Sequence, residues 1–234
     1  MKKIGLIVFA LAIIVGVVIA NFISWGKAGS EAVFNFPLKI GKERGSGRMA
    51  TEVRELRGFS SVDVSSVFQV EITAQSEFHV EVEADDNLLQ FIETEVRGSE
   101  LHISLDKGVK SKNPLRVRIG VPNIERIEAS GASKVFVSNL KNSKVEVDTS
   151  GASKIELSGE TSQLIVDVSG ASHINAAELK AVDAVVDASG ASRVNVNVSG
   201  ELRSEASGAS NVNYAGNPTN VIKNTSGASS VSQR

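Results

Sequence analysis

From about Glu52 onward, apolar and polar side chains alternate with a period of two. Val62-Asp63-Val64 is followed by Val67-Phe68-Gln69-Val70-Glu71-Ile72 and then by Phe78-His79-Val80-Glu81-Val82. Successive side chains of a strand point to opposite faces, so this alternation predicts half-buried β-strands. The break at Ala74-Gln75-Ser76-Glu77 reads as a hairpin-like or corner turn, and Asp86 to Phe91 as a short helical turn capped by Asp85 or Asp86. Strands resume at Glu93 to Val96, Leu101 to Leu105 and Leu115 to Val121, with Gly98-Ser99 and the Lys107 to Pro114 segment as turns.

From Ile124 the alternation becomes a repeat. The tetrapeptide Ser-Gly-Ala-Ser occurs six times, starting at Ser130, Ser150, Ser169, Ser189, Ser207 and Ser226, at intervals of 20, 19, 20, 18 and 19 residues. A steady period of that length is the signature of a solenoid, and the Val- and Ile-rich runs around each copy make the unit a coil of β-structure. Three residues before the first Ser stand Ile127, Val147, Val166 and Val186, with Ser204 and Lys223 breaking the apolar pattern in the last two coils. Five after it stand Val135, Ile155, Ile174, Val194, Val212 and Val231. Both sets face inward. Each coil therefore has one strand running into the tetrapeptide and one running out. Gly131, Gly151, Gly170, Gly190, Gly208 and Gly227 form the structural corners, where glycine accepts a positive φ without steric cost.

The stretch of about five to seven residues between one coil and the next, marked by second turns such as Ser158-Gly159 and Ser199-Gly200, reads as a loop that absorbs insertions. No Phe follows Phe136, so Phe59, Phe68, Phe78 and Phe91 are expected to fill and cap the N-terminal end while Val, Ile and Ala fill the slender ladder. At the far end, Lys223, Ser230, Ser232 and Arg234 either blunt the open rung or leave it to pair with a second molecule as a homo-oligomer.

The first 26 residues differ in kind. Met1-Lys2-Lys3 precedes an uncharged run from Ile4 to Ile23, and Trp25 and Lys27 follow. A run of about 20 apolar residues is long enough to cross a bilayer, and lysines before it hold the N-terminus in the cytoplasm. Val18 and Ala20 also fit a signal-peptide cut before Asn21, so the segment is an uncleaved transmembrane anchor or a cleaved signal helix, and either exports the rest. Residues 27–50, rich in Gly, Ser and charge, read as a flexible linker ahead of a solenoid domain over 51–234, with its repeats in 124–234. Its basic residues could touch anionic lipid, but Glu31 and Glu43 interrupt them and a plain solvated tether is preferred. The chain has no cysteine, which excludes disulfides, thiolate metal sites, a cysteine nucleophile and a lipoprotein anchor together. With 25 basic and 27 acidic residues it has no nucleic-acid footprint.

Two outward ladders flank the corners. Two residues before the first Ser stand Glu128, Asp148, Asp167, Asp187, Glu205 and then Asn224, and four after it Lys134, Lys154, His173, Arg193, Asn211 and Ser230. Charge on a solenoid face is usually solvation, and the two ladders would partly neutralise each other across the corner. The functional reading is a striped surface that binds a repeating ligand through Lys134, Lys154, His173 and Arg193 on one stripe and Asp148, Asp167, Asp187 and Glu205 on the other. One carboxylate per coil is too few for Ca²⁺, and His79, His102 and His173 lie on separate strands, so no metal or cofactor is expected. A further stack, Asn175, Asn195 and Asn213, suits an amide ladder. No corner Ser has a His and an acid as partners, and repetition favours structure over catalysis.

The alternating strands followed by the Ser-Gly-Ala-Ser ladder, from about Arg54 to Val231, resemble the "putative auto-transporter adhesin, head GIN domain" family of bacterial exported proteins. The resemblance implies an all-β, right-handed parallel β-helix-like solenoid of about 18–20 residues per coil, and adhesion by analogy. It brings no catalytic residues, and no translocator barrel follows the ladder. Export and repetition without a catalytic constellation predict a non-enzymatic cell-envelope module that meets a glycan or protein, attached to a membrane through its N-terminal segment. The alternatives are a self-assembling envelope scaffold and a polysaccharide-active enzyme using Asp148, Asp167, Asp187 and Arg193.

Overall fold

A computed structural model describes residues 42–234, and the predicted anchor over residues 1–26 lies outside them. Among the described residues no helix is long and apolar enough to cross a membrane. The strands in chain order are β1 (Glu43–Arg44), β2 (Met49–Val53), β3 (Ser61–Val64), β4 (Phe68–Ala74), β5 (His79–Asp85), β6 (Ile92–Arg97), β7 (Glu100–Leu105), β8 (Val109–Lys110) and β9 (Leu115–Val121). The ladder continues with β10 (Arg126–Ala129), β11 (Lys134–Thr149), β12 (Lys154–Val168), β13 (His173–Ala188), β14 (Arg193–Val198), β15 (Glu201–Ala206), β16 (Asn211–Ala215), β17 (Asn220–Thr225) and β18 (Ser230–Gln233). β1 pairs only with β8, and the other sixteen strands form one continuous sheet.

That sheet is coiled into a β-solenoid of about five turns across the six tetrapeptides. The strands running into the corners stack in parallel as β3, β10, the ends of β11, β12 and β13, then β15 and β17. Those running out stack as β4, the starts of β11, β12 and β13, then β14, β16 and β18. Inward positions alternate with outward ones along each, and the inward side chains form one core from Phe59 to Tyr214. Ile127, Val147, Val166, Val186, Val135, Ile155, Ile174, Val194 and Val212 are buried as the period-two pattern requires.

Three expectations need correction. The stretch between coils is a third strand side in the first turns: β11, β12 and β13 run through it unbroken, with Leu140 opposite Gly159 and Gly159 opposite Leu179. Differences in repeat length are absorbed by register shifts after Val137, Glu156 and Ala176, where the extra residues leave the ladder without breaking it. Ser158-Gly159 lies within β12, whereas Ser199-Gly200 is a bend between β14 and β15. Second, Asp86 to Phe91 forms only a 3₁₀ turn over Leu89–Phe91, with no side-chain cap. Third, Phe59 and Phe68 are buried but Phe78 is 37% exposed, with its ring 5.2 Å from that of Phe59.

Residues 43–44 and 49–50 of the predicted linker are paired in β1 and β2, the latter antiparallel to β5. The rungs are also out of chain order at this end. β3 and β4 form the rung beside β10 and β11, yet β7 and β9, which follow them in the chain, stack on their other side. The chain thus builds one rung, turns back through the antiparallel strands β5 and β6 to lay a second rung outside it, and recrosses at Pro122–Glu125 to begin the ladder.

Candidate functional site

The corners set the geometry of everything outside them. Gly131, Gly151, Gly170, Gly190, Gly208 and Gly227 have φ between 72° and 84°. A Cβ on Gly151, Gly170, Gly190 or Gly208 would lie 2.4 to 2.5 Å from the carbonyl oxygen of the corner glycine one turn earlier. That carbonyl accepts the next Ala N–H, as in Ala152 N to Gly131 O at 2.8 Å and Ala191 N to Gly170 O at 2.8 Å. Glycine is therefore demanded twice, by its dihedral angle and by the closeness of the neighbouring rung. The last Ser of each tetrapeptide turns inward: Ser133, Ser153, Ser172, Ser192 and Ser210 are buried. Several of these hydroxyls satisfy corner backbone, as Ser192 Oγ donates to Ser189 O at 2.7 Å.

The same geometry reveals a corner that lacks the tetrapeptide. Gly131 stacks on Ser66, whose φ is +89°. Residues Val62-Asp63-Val64-Ser65-Ser66-Val67-Phe68-Gln69-Val70 occupy the same register as Val166 to Ile174, one rung before the ladder. The signal was present as a Val-Asp-Val-Ser run identical to residues 166–169, hidden by the missing glycine. Ser66 can carry a side chain because the rung before it has no such corner: between β7 and β9 the chain makes an excursion over residues 106–114 instead.

With the corner aligned, each predicted ladder is a strict column. Glu128 pairs in register with Asp148, Asp148 with Asp167, Asp167 with Asp187, Asp187 with Glu205, and Glu205 with Asn224. Asp63 precedes Glu128, so six carboxylates stand in succession at the strand spacing of about 4.8 Å. The N-terminal members have side-chain partners: His102 Nδ1 lies 3.1 Å from Asp63, and Arg126 reaches Asp148 at 3.1 Å and Glu128 at 3.4 Å. Asp167, Asp187 and Glu205 have no ion pair among the described residues. Desolvation between the flanking rungs, then the carboxylates of Asp148 and Asp187, push the Asp167 carboxyl above the usual aspartate range.

The basic column is equally regular, with Lys134 opposite Lys154, Lys154 opposite His173, His173 opposite Arg193 and Arg193 opposite Asn211. Burial, then the charges of Arg193 and Lys154, hold the His173 imidazole below its ordinary range. Lys154 pairs with Glu156 at 2.6 Å, whereas Lys134 and Arg193 have no ion pair among the described residues. No ion pair joins the two columns across the corner among the described residues, so their expected mutual neutralisation does not occur through direct contact. Beside the basic column, Asn213 Nδ2 donates to Asn195 Oδ1 at 3.1 Å, one link of the predicted amide ladder. The third side carries a shorter alternation, Lys141, Glu160 and Lys180 in register, with Lys180 3.4 Å from Glu160.

Asp148, Asp167 and Asp187 lie on the strands entering the corners and Arg193 on a strand leaving one, so the residues weighed for glycosidic chemistry belong to different columns. Among the described residues no cluster of His, Asp or Glu is arranged to hold a metal ion.

The family model described as "putative auto-transporter adhesin, head GIN domain" matches residues 58–218. No curated protein matches the sequence. Among solved structures, a "putative adhesin" from Bacteroides fragilis is similar with a TM-score of 0.69 at 18% identity, over 82% of this chain and 99% of that one. A "putative adhesin" from Parabacteroides distasonis gives a TM-score of 0.56 at 17% identity, over 83% of this chain and 100% of that one. Another from Parabacteroides merdae gives 0.50 at 16% identity, over 82% and 98%. The match covers these solved chains almost completely.

Proposed function

The chain belongs to the "putative auto-transporter adhesin, head GIN domain" family, and from that premise we propose that it is an exported, non-catalytic adhesin-like module that binds an anionic envelope or extracellular glycan. The observation that carries this reading is the basic column, four groups from Lys134 to Arg193 held in strict register on a sheet face. A rigid row of like charges about 4.8 Å apart suits a polymer with its own repeating charges, because each added contact is made at high effective concentration. The His173 imidazole is held below its ordinary range first by burial and then by the charges of Arg193 and Lys154, and an anionic polymer would offset the second of these causes. The acidic column on the other side of the corner repels the same ligand and so confines it to one face. The apolar run Ile4 to Ile23 would keep the module at a membrane.

The test is binding of residues 42–234 to acidic polysaccharides and envelope fractions beside a Lys154→Glu/Arg193→Glu variant. Specific binding that the variant loses, and that strengthens as His173 protonates, is expected. Equal binding by both proteins would remove the column from the function, and binding to nothing acidic would overturn the reading.

A further inference from the structure

A second charged surface lies at the opposite kind of place, where the described residues begin. β1 runs parallel to β8 with Arg44 opposite Lys110, which joins the segment just after residue 41 to the 106–114 excursion. The side chain of Lys42 lies against this excursion, its Cγ 3.4 Å from where a Cβ on Gly108 would stand. Six exposed cations are gathered in this way: Lys42, Arg44, Arg48, Lys107, Lys110 and Lys112. Arg48 is held by Asp86 at 2.8 Å and Lys107 by Glu43 at 3.4 Å. Lys42, Arg44, Lys110 and Lys112 have no ion pair among the described residues. Asp106 stands exposed at the start of the excursion with no ion pair among the described residues, leaving the surface a net excess of cations, while Asp85 is 1% exposed and its oxygens accept bonds from Ser111 Oγ and Asn113 Nδ2, so it staples the excursion in place. Arg44, Gly47, Lys110, Ser111 and Lys112, with Asp85 at its base as the one carboxylate, line an open cavity of about 350 Å³.

Two facts choose the occupant. The chain outside the described residues contains the uncharged run Ile4 to Ile23, and the 18 residues from Ser24 to Gly41 can separate it from this surface by no more than about 60 Å. The surface is cationic, and unlike the basic column it begins at Lys42, directly after the tether, so charge and chain connection together select this end of the domain to meet an anionic bilayer. We propose that the basic end formed by β1, β8 and the 106–114 excursion docks on the anionic phospholipid headgroups of the membrane that holds the chain; this rests on reading Ile4 to Ile23 as a membrane segment. Docking would set the orientation in which the columns are presented, since the cations are fixed to the sheet through β1 and β8.

The experiment is flotation of residues 42–234, a unit with its own core, with vesicles of phosphatidylcholine alone or with about a third phosphatidylglycerol at low salt. The protein is expected to float only with the anionic vesicles. Its partition should fall more than about tenfold in Lys110→Glu/Lys112→Glu and be lost near 0.5 M salt. Equal flotation with both vesicles, or indifference to the double charge reversal, overturns the proposal. So does release by millimolar glycerol phosphate, which would make the cavity a small-anion site. The exposed positions keep the variant foldable, checked by its unfolding midpoint. The full chain tests the anchor separately: retention on neutral vesicles through a carbonate wash supports a spanning Ile4 to Ile23, and its loss with intact flotation of 42–234 would fault the anchor but not the surface.

Discussion

The sheet face of β4, β5 and β9 in the N-terminal block and the ladder from β10 to β18 treat charge in opposite ways. In the block, basic and acidic groups alternate across strands: Arg116 lies 3.0 Å from Glu83, and Arg118 lies 2.8 Å from Glu83 and 3.6 Å from Glu71. Antiparallel pairing of β5 with β9 places Glu81 opposite Arg118 and Glu83 opposite Arg116, so unlike charges meet. In the ladder, parallel stacking of near-identical coils places each residue on its own copy. Carboxylate meets carboxylate in the acidic column, and Lys134, Lys154, His173 and Arg193 follow one another in the basic one. Repetition thus leaves Asp167, Asp187 and Glu205 on one column and Lys134 and Arg193 on the other without an ion pair among the described residues.

The largest expected effect tests the corners. Gly170→Ala in the ladder combines a φ of +78° with a Cβ 2.4 Å from Gly151 O and should destabilise the domain by about 3 kcal/mol. The opposite change in the block, Ser66→Gly, relieves a φ of +89° and should stabilise by about 1 kcal/mol. Paired denaturant titrations read both, and equal effects of like sign would mean that the two corners are not equivalent.

A smaller effect separates the two treatments of charge. Arg118→Ala removes a cation from a compensated network and should cost about 1 kcal/mol. Asp167→Asn removes one charge from an uncompensated column and should stabilise by roughly half a kcal/mol, shrinking with salt. Destabilisation by both would show that the acidic column is balanced after all.

The subtlest test is pH. The folded pKa of Asp167 is raised, so the native state binds its proton more readily. The contribution of this group is full below the ordinary aspartate pKa and is lost as pH rises through the raised value. His173 is lowered, so its contribution is full above the ordinary histidine pKa and is lost as pH falls through the depressed value. Wild type compared with Asp167→Asn and His173→Asn by thermal melts across pH should therefore give differences of opposite slope. Parallel slopes would contradict the columns as described.

Lys223 shows how the ladder ends. Its position in the inward column breaks the apolar pattern, and the side chain lies 4.8 Å over the Tyr214 ring with Nζ 3.2 Å from Tyr214 Oη and 3.3 Å from Val231 O. A cation-π contact and two hydrogen bonds thus hold this lysine against the last apolar layer.

The sequence by itself determined the ladder: the inward residues, the glycine corners and the membership of Glu128 to Glu205 and Lys134 to Arg193 in two columns. A repeat in which every coil packs on its copy leaves no freedom in register, so period alone suffices. The tertiary structure decided what local pattern does not encode. It placed β7 and β9 outside β3 and β4, added Asp63 to the acidic column, turned the inter-coil loop into a third strand side and brought Arg44 beside Lys110. Each of these depends on which strand edge remained unpaired when the chain returned, and an alternating run of Val and Glu reads alike beside any partner.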